Sequence, residues 1–148
     1  MTNLENPDVD TQIEFLCIDS VNLWRNKLGN LAKEYSLTRL ERRILVFIGR
    51  HSSIRQADIA NLMDLEPQSL TRVLESMEKK NWLIKQDDLK DKRAKSLSLT
   101  ELGHNKLQHA LEISETIRPK ILKDISQEEK LILVKILNSM KENLKTIL

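Results

Sequence analysis

The hydrophobic pattern changes period between residues 67 and 100, and that change constrains the fold more than any other feature of the chain. From Pro67 onward, Leu70, Val73, Leu74 and Met77 recur at three- and four-residue steps, the spacing of one helical face. Pro67 suits a first helical turn, where its missing N–H leaves nothing unpaired. Asn81 suits a stop, because Asn tolerates left-handed backbone, though less well than Gly. Beyond it, WLIKQ and KSLSLT read as two short antiparallel strands. In the second, Leu97 and Leu99 point one way and Ser96 and Ser98 the other. A helix running straight into a two-stranded hairpin is the second half of a winged helix-turn-helix.

The flanking segments read as helices. Ile13, Leu16, Cys17, Val21, Trp24, Leu28, Leu31 and Tyr35 set a helix over 10–35, after a loose arm at 1–10. Thr38 and Glu41 form a capping box, in which hydroxyl and carboxylate satisfy free backbone donors at the start of an apolar helix. Ser53 and Gln56 suggest a second box before IRQADIANLM, and the break DLE leads to Pro67. Thr100 caps a long helix to about residue 123, with a kink expected at Pro119. Ser126 and Glu129 form a third box, opening a helix to the C-terminus. The expected class is mainly α with a small β-hairpin wing. Three parts are expected to form one structural unit: an N-terminal arm and helix (1–35), a winged helix-turn-helix (36–100) and C-terminal helices (101–148).

Composition excludes several functions. With 3% aromatic residues, a stacking platform for single strands is not expected. A single cysteine, Cys17, allows neither an intrachain disulfide nor a one-chain thiolate zinc cage. His104 and His109 stand five apart, about 140° around a helix, too far to clamp one ion. No metal and no cofactor are expected. No phosphate-binding loop, nucleophile elbow or zinc-protease motif is present, so an enzyme is not expected. No run is long enough to span a bilayer, and the acidic N-terminus lacks a signal sequence, so the expected place is the cytoplasm, at the nucleoid. The net charge is only +2, but residues 90–95 hold four cations and one acid. That local patch can meet a phosphate backbone although the whole chain is near neutral.

On an ideal helix from Pro67, Gln68, Thr71, Arg72, Glu75 and Lys79 oppose the apolar face, with Ser69 on the flank. Such side chains suit a major groove: Arg pairs with guanine, Gln with adenine, and Ser or Thr with a base or a phosphate. An ordinary solvated face is the plainer reading, and the preceding tight turn and following basic hairpin favour the first. In an extended hairpin Asp91 lies beside Arg93 and can hold its guanidinium for entry into a minor groove, with Lys90, Lys92 and Lys95 on flanking phosphates. A merely solvated tip is again the alternative.

The segments LTRLERRIL, IRQADIANLMDLEPQSLTRVLESMEKKNWL and KDKRAKSLSLTELG resemble the MarR family of winged-helix transcription regulators, most closely its SlyA branch. With WRNKL near the start, the likeness covers residues 12–147. It implies that the helix from Pro67 is a recognition helix, that Ser69, Thr71 and Arg72 meet DNA, and that Arg93 is a wing arginine steadied by Asp91. It also implies a homodimer through the terminal helices, on a pseudo-palindromic operator. Two departures stand out: Asn81 replaces the usual Gly, and Pro67 precedes Gln68 where the reverse order is usual.

Ile13 and Leu16 on the first helix, with Leu137, Met140, Leu144 and Ile147 on the last, are the candidate dimer seam. The resemblance implies release by a small aromatic or anionic effector, for which Trp24, Arg25 and Tyr35 are the nearby residues. Two other readings stay open: a redox-sensing regulator acting through Cys17, set against a buried small hydrophobe, and a winged-helix module that binds protein rather than DNA.

Overall fold

The computed structural model describes residues 4–51 and 53–147. In chain order the elements are α1 (Val9–Ala32), a 3-10 turn (Lys33–Tyr35), α2 (Arg39–Gly49), β1 (Ile54–Arg55), α3 (Gln56–Met63), α4 (Pro67–Lys79), β2 (Leu83–Asp87), β3 (Lys95–Leu99), α5 (Glu101–Ile121) and α6 (Gln127–Thr146). The chain divides into two compact units, Met1–Glu115 and Thr116–Leu148. No helix among the described residues is long and apolar enough to cross a membrane.

Helix ends follow local chemistry. Asp8 caps α1 by accepting from the Thr11 N–H at 2.8 Å. α1 stops at Ala32, earlier than the apolar spacing through Tyr35 suggests, because the chain tightens into a 3-10 turn. Ser36 then takes left-handed backbone at φ 55°. Both expected boxes at Thr38/Glu41 and Ser126/Glu129 form, each with both reciprocal bonds. The box expected at Ser53/Gln56 does not. Ile54 and Arg55 are drawn into a strand against Leu97 and Ser96, so α3 opens at Gln56 behind Arg55, with no side-chain cap. Tertiary pairing overrides the local pattern there.

α3 ends where Asp64 adopts φ 52° and the Leu65 N–H reaches back to the Ala60 carbonyl at 2.9 Å. That tight turn delivers Pro67 as the first residue of α4. α4 ends as expected on Asn81, at φ 62°, and the Trp82 N–H closes the stop on the Met77 carbonyl at 2.9 Å. The sheet has order β1-β3-β2 and is antiparallel throughout. β3 is therefore the central strand and not half of a simple hairpin. This is why Ser96, opposite both Arg55 and Gln86, is buried despite its expected outward phase.

The core of the first unit is built from α2, α3, α4, the sheet and α5. Ile44, Leu45, Ile59, Leu70, Leu74, Met77, Leu97 and Ile113 are its largest fully buried side chains. Each contributes roughly 1.5–3 kcal/mol through apolar area removed from water. Thr100 locks the sheet to α5, donating its hydroxyl to the Asn81 carbonyl and accepting from the Gly103 N–H at 3.0 Å. Gly103 has no alternative here, since a Cβ would stand 1.8 Å from the Trp82 carbonyl oxygen. In the second unit, α6 buries no residue.

Candidate nucleic-acid interface

Burial on α4 separates two faces cleanly. Leu70, Leu74 and Met77 are fully buried, while Gln68, Ser69, Arg72 and Glu75 are exposed. The inner face fixes the helix rotation, so the outer face is presented rigidly. Thr71 differs from its neighbours: it is half-buried, donating its hydroxyl to the Pro67 carbonyl and accepting from Gln56 Nε2, both at 2.9 Å. Its oxygen keeps little capacity for a further partner, and the bond ties α3 to α4 across the tight turn. Gln56 is thus a positioning residue of this surface. The sequence offered no signal for it beyond a polar residue at the start of α3.

The wing tip is a turn organised by carboxylates. Asp88 Oδ1 accepts from the Lys90 N–H at 2.8 Å and the Asp91 N–H at 3.0 Å, and its Oδ2 lies 3.4 Å from Arg55 Nε. These bonds, chiefly those from the Lys90 and Asp91 amides and then the Arg55 charge, hold its pKa below the usual carboxylate value. Two backbone bonds close the base of the tip, Asp88 N–H to the Ala94 carbonyl at 3.1 Å and Ala94 N–H to the Asp91 carbonyl at 2.9 Å. Asp91 accepts from the backbone N–H of Arg93 at 3.0 Å. This corrects the expectation that Asp91 grips the Arg93 guanidinium. At a turn the unpaired amides are the nearest strong donors, and the carboxylate takes them first. Among the described residues the Arg93 guanidinium has no side-chain partner and is exposed, as is Lys92. Lys95, opposite Asp87 in the register, pairs with it. Arg55 and Asp88 were missed from sequence. The signal was present in DDLKD, where an Asp precedes amides two and three residues on.

The remaining candidates are dispersed. Trp24 is half-buried, and Tyr35 packs its ring 5.3 Å from that of His109. Arg25 lines a cleft with arginines of α2 that neither Trp24 nor Tyr35 enters. Cys17 is a half-buried free thiol. Ile13 and Leu16 on α1 are exposed, as are Leu137, Leu144 and Ile147, with Met140 half-buried. No group of three potential metal ligands occurs among the described residues.

Residues 37–95 match the model of the MarR family. The HTH-type transcriptional repressor MdtR of Bacillus subtilis is 30% identical over 88 residues, which are 60% of this chain and 57% of that protein. The chain thus spans under two thirds of that relative's length. A solved structure of the transcriptional regulator SlyA superposes with a TM-score of 0.71 at 23% identity, covering 93% of this chain and 94% of its own. A mutant of Escherichia coli MarR, solved in complex with operator DNA, superposes with a TM-score of 0.68 at 20% identity, covering 90% and 98%.

Proposed function

We propose, on the match of residues 37–95 to the MarR-family model, that the chain is a sequence-specific winged-helix regulator of transcription that binds double-stranded DNA. One observation carries the reading. The first two turns of α4 present Gln68, Ser69 and Arg72 outward from a helix whose opposite face is locked in the core, next to a wing whose Arg93 is unpaired by any side chain among the described residues. A helix enters a major groove only if its recognition face is exposed and its rotation fixed, and α4 meets both conditions. Arg93 and Lys92, at the end of a narrow turn, suit the adjacent minor groove and its phosphates. The Escherichia coli structure of the same fold was solved with operator DNA, which supports DNA as the partner of this surface.

The functional form in this reading is a homodimer on a pseudo-palindromic site. One winged helix reads a short half-site, and two related by symmetry double the contacts. The exposed apolar residues of α1 and α6 support that assembly: Leu16 and Leu144 are 64% and 66% exposed, and water is a poor partner for both. Release by a small aromatic or anionic effector bound beside Arg25, in a cleft that Trp24 and Tyr35 do not line, completes the reading.

Arg72→Ala on a panel of operators bearing single base-pair changes tests the assignment. The variant should lose about 1–3 kcal/mol and tolerate substitutions at one central position of each half-site. Uniform weakening across the panel, random DNA included, would remove Arg72 from base reading.

A further inference from the structure

Away from α4 and the wing, α1 and α2 enclose a cleft of about 430 Å³ lined by Arg25, Arg39, Arg42 and Arg43 together with Asn22 and Asn26. The run RLERR places three of these arginines on neighbouring turns of α2, at three- and four-residue spacing. Arg39 is fastened in place, donating from Nη1 to Asn26 Oδ1 at 3.0 Å and from Nη2 to Asn30 Oδ1 at 2.8 Å. Arg42 is only 6% exposed. Its Nη2 donates to Ser114 Oγ at 2.5 Å, and its Nε is buried with no partner. None of the ion pairs among the described residues includes any of the four. Glu41, the neighbouring acid, is committed to Thr38 and Lys80. Burial weakens the hold of Arg42 and Arg43 on their protons, and the Arg25 charge adds to the effect on Arg43.

A buried guanidinium without a counter-charge is costly, and an unpaired donor beside it adds to the cost. Several guanidinium groups lining one cleft with no carboxylate are an arrangement suited to tetrahedral oxyanions, which planar forks bind. We propose that this cleft binds a small multivalent oxyanion of the phosphate type. A lone aromatic carboxylate suits it poorly. Its single charge leaves most of the positive field unmatched. Past Arg25, Arg42 and Arg43 the cleft continues along Val46, Phe47 and Leu62, an apolar wall for the organic part of a phosphate monoester. The inference narrows the ligand class at Arg25 and uses no residue of α4 or the wing. Its failure would leave the DNA reading standing, and the failure of the DNA reading would leave this site standing.

The test is calorimetric titration of the full chain in chloride buffer at constant ionic strength with inorganic phosphate, pyrophosphate, phenyl phosphate and benzoate. The proposal expects the phosphate ligands to bind about tenfold or more tighter than benzoate. It expects an Arg25→Ala/Arg43→Gln double variant to lose about tenfold in phosphate affinity, and a Lys141→Ala variant, at an exposed position of α6, to bind as wild type. Phenyl phosphate tighter than inorganic phosphate supports a phosphate monoester as the natural occupant; the reverse order supports the free anion. Pyrophosphate binding undiminished in the double variant, or benzoate binding as tightly as phosphate, overturns the proposal. Circular dichroism checks the fold of the double variant. Arg25→Ala alone, at an exposed position of α1, supplies the same reading if the double change disturbs it.

Discussion

Glu41 joins the start of α2 to the end of the proposed recognition helix, and its removal has a calculable cost. Its side chain is 5% exposed and accepts from the Thr38 N–H at 2.9 Å and from Lys80 Nζ at 2.5 Å. Burial pushes the carboxyl pKa up, but the bonds from Lys80 and Thr38 outweigh it and hold the group below its ordinary 4.5. Glu41→Ala removes one half of the capping box, worth about 1 kcal/mol. It also removes a charge-assisted bond in a partly buried setting, worth about 1–2 kcal/mol. Lys80 is 42% exposed, so its ammonium turns to water and adds no penalty for a stranded charge. The expected loss is therefore about 2–3 kcal/mol. Glu41→Gln keeps an acceptor for Thr38 and loses only the charge, at about 1 kcal/mol. Urea unfolding with an unchanged slope measures both, and Lys80→Ala completes a cycle with a coupling of about 1 kcal/mol. Because the folded pKa lies below the unfolded one, this stabilisation is fully present above the unfolded carboxyl value and is lost as pH falls through the lowered folded value. Glu41→Gln should flatten that part of the pH profile. Wild-type stability in Glu41→Ala, or equal losses in the two variants, would refute the reasoning.

Two further outcomes follow from the geometry. In Asp88→Ala the amides of Lys90 and Asp91 lose their common acceptor, so their hydrogen exchange should accelerate, while Asp88→Asn retains an oxygen and should protect them. Equal exchange in wild type and Asp88→Ala would show that Asp88 does not order the wing. Leu144→Glu, at a residue 66% exposed on α6, should leave the helical circular-dichroism spectrum intact and shift the sedimentation of the chain from dimer to monomer. An unchanged dimer would exclude Leu144 from the seam.

Features closed within five residues were legible in the sequence. The boxes at Thr38/Glu41 and Ser126/Glu129, the proline start of α4 and the left-handed stop at Asn81 need only local bonds, and each forms as expected. The inward stripe of α4 was legible too, because helical period alone fixes it. What failed depended on partners distant in sequence. Ser53 and Gln56 have the spacing of a box, yet Ile54 and Arg55 pair with Leu97 and Ser96, far along the chain. The parity argument for Asp91 and Arg93 assumed extended backbone and met a turn, where amides compete for the carboxylate. The arginine cleft depends on the apposition of α1 and α2, which no local spacing announces.

The central claim is specific recognition of double-stranded DNA by α4 and the wing, and fluorescence anisotropy tests it most directly. The probe is the DNA upstream of the protein's own gene, with random DNA as competitor, at two salt concentrations, for wild type and Arg93→Ala. The account predicts binding that survives competitor and whose log affinity falls steeply with log salt, with a loss of affinity in Arg93→Ala. Should that probe show no preference, selection from genomic fragments supplies the operator for the same assay. Salt-insensitive binding, or no preference for any fragment over random DNA, would contradict it.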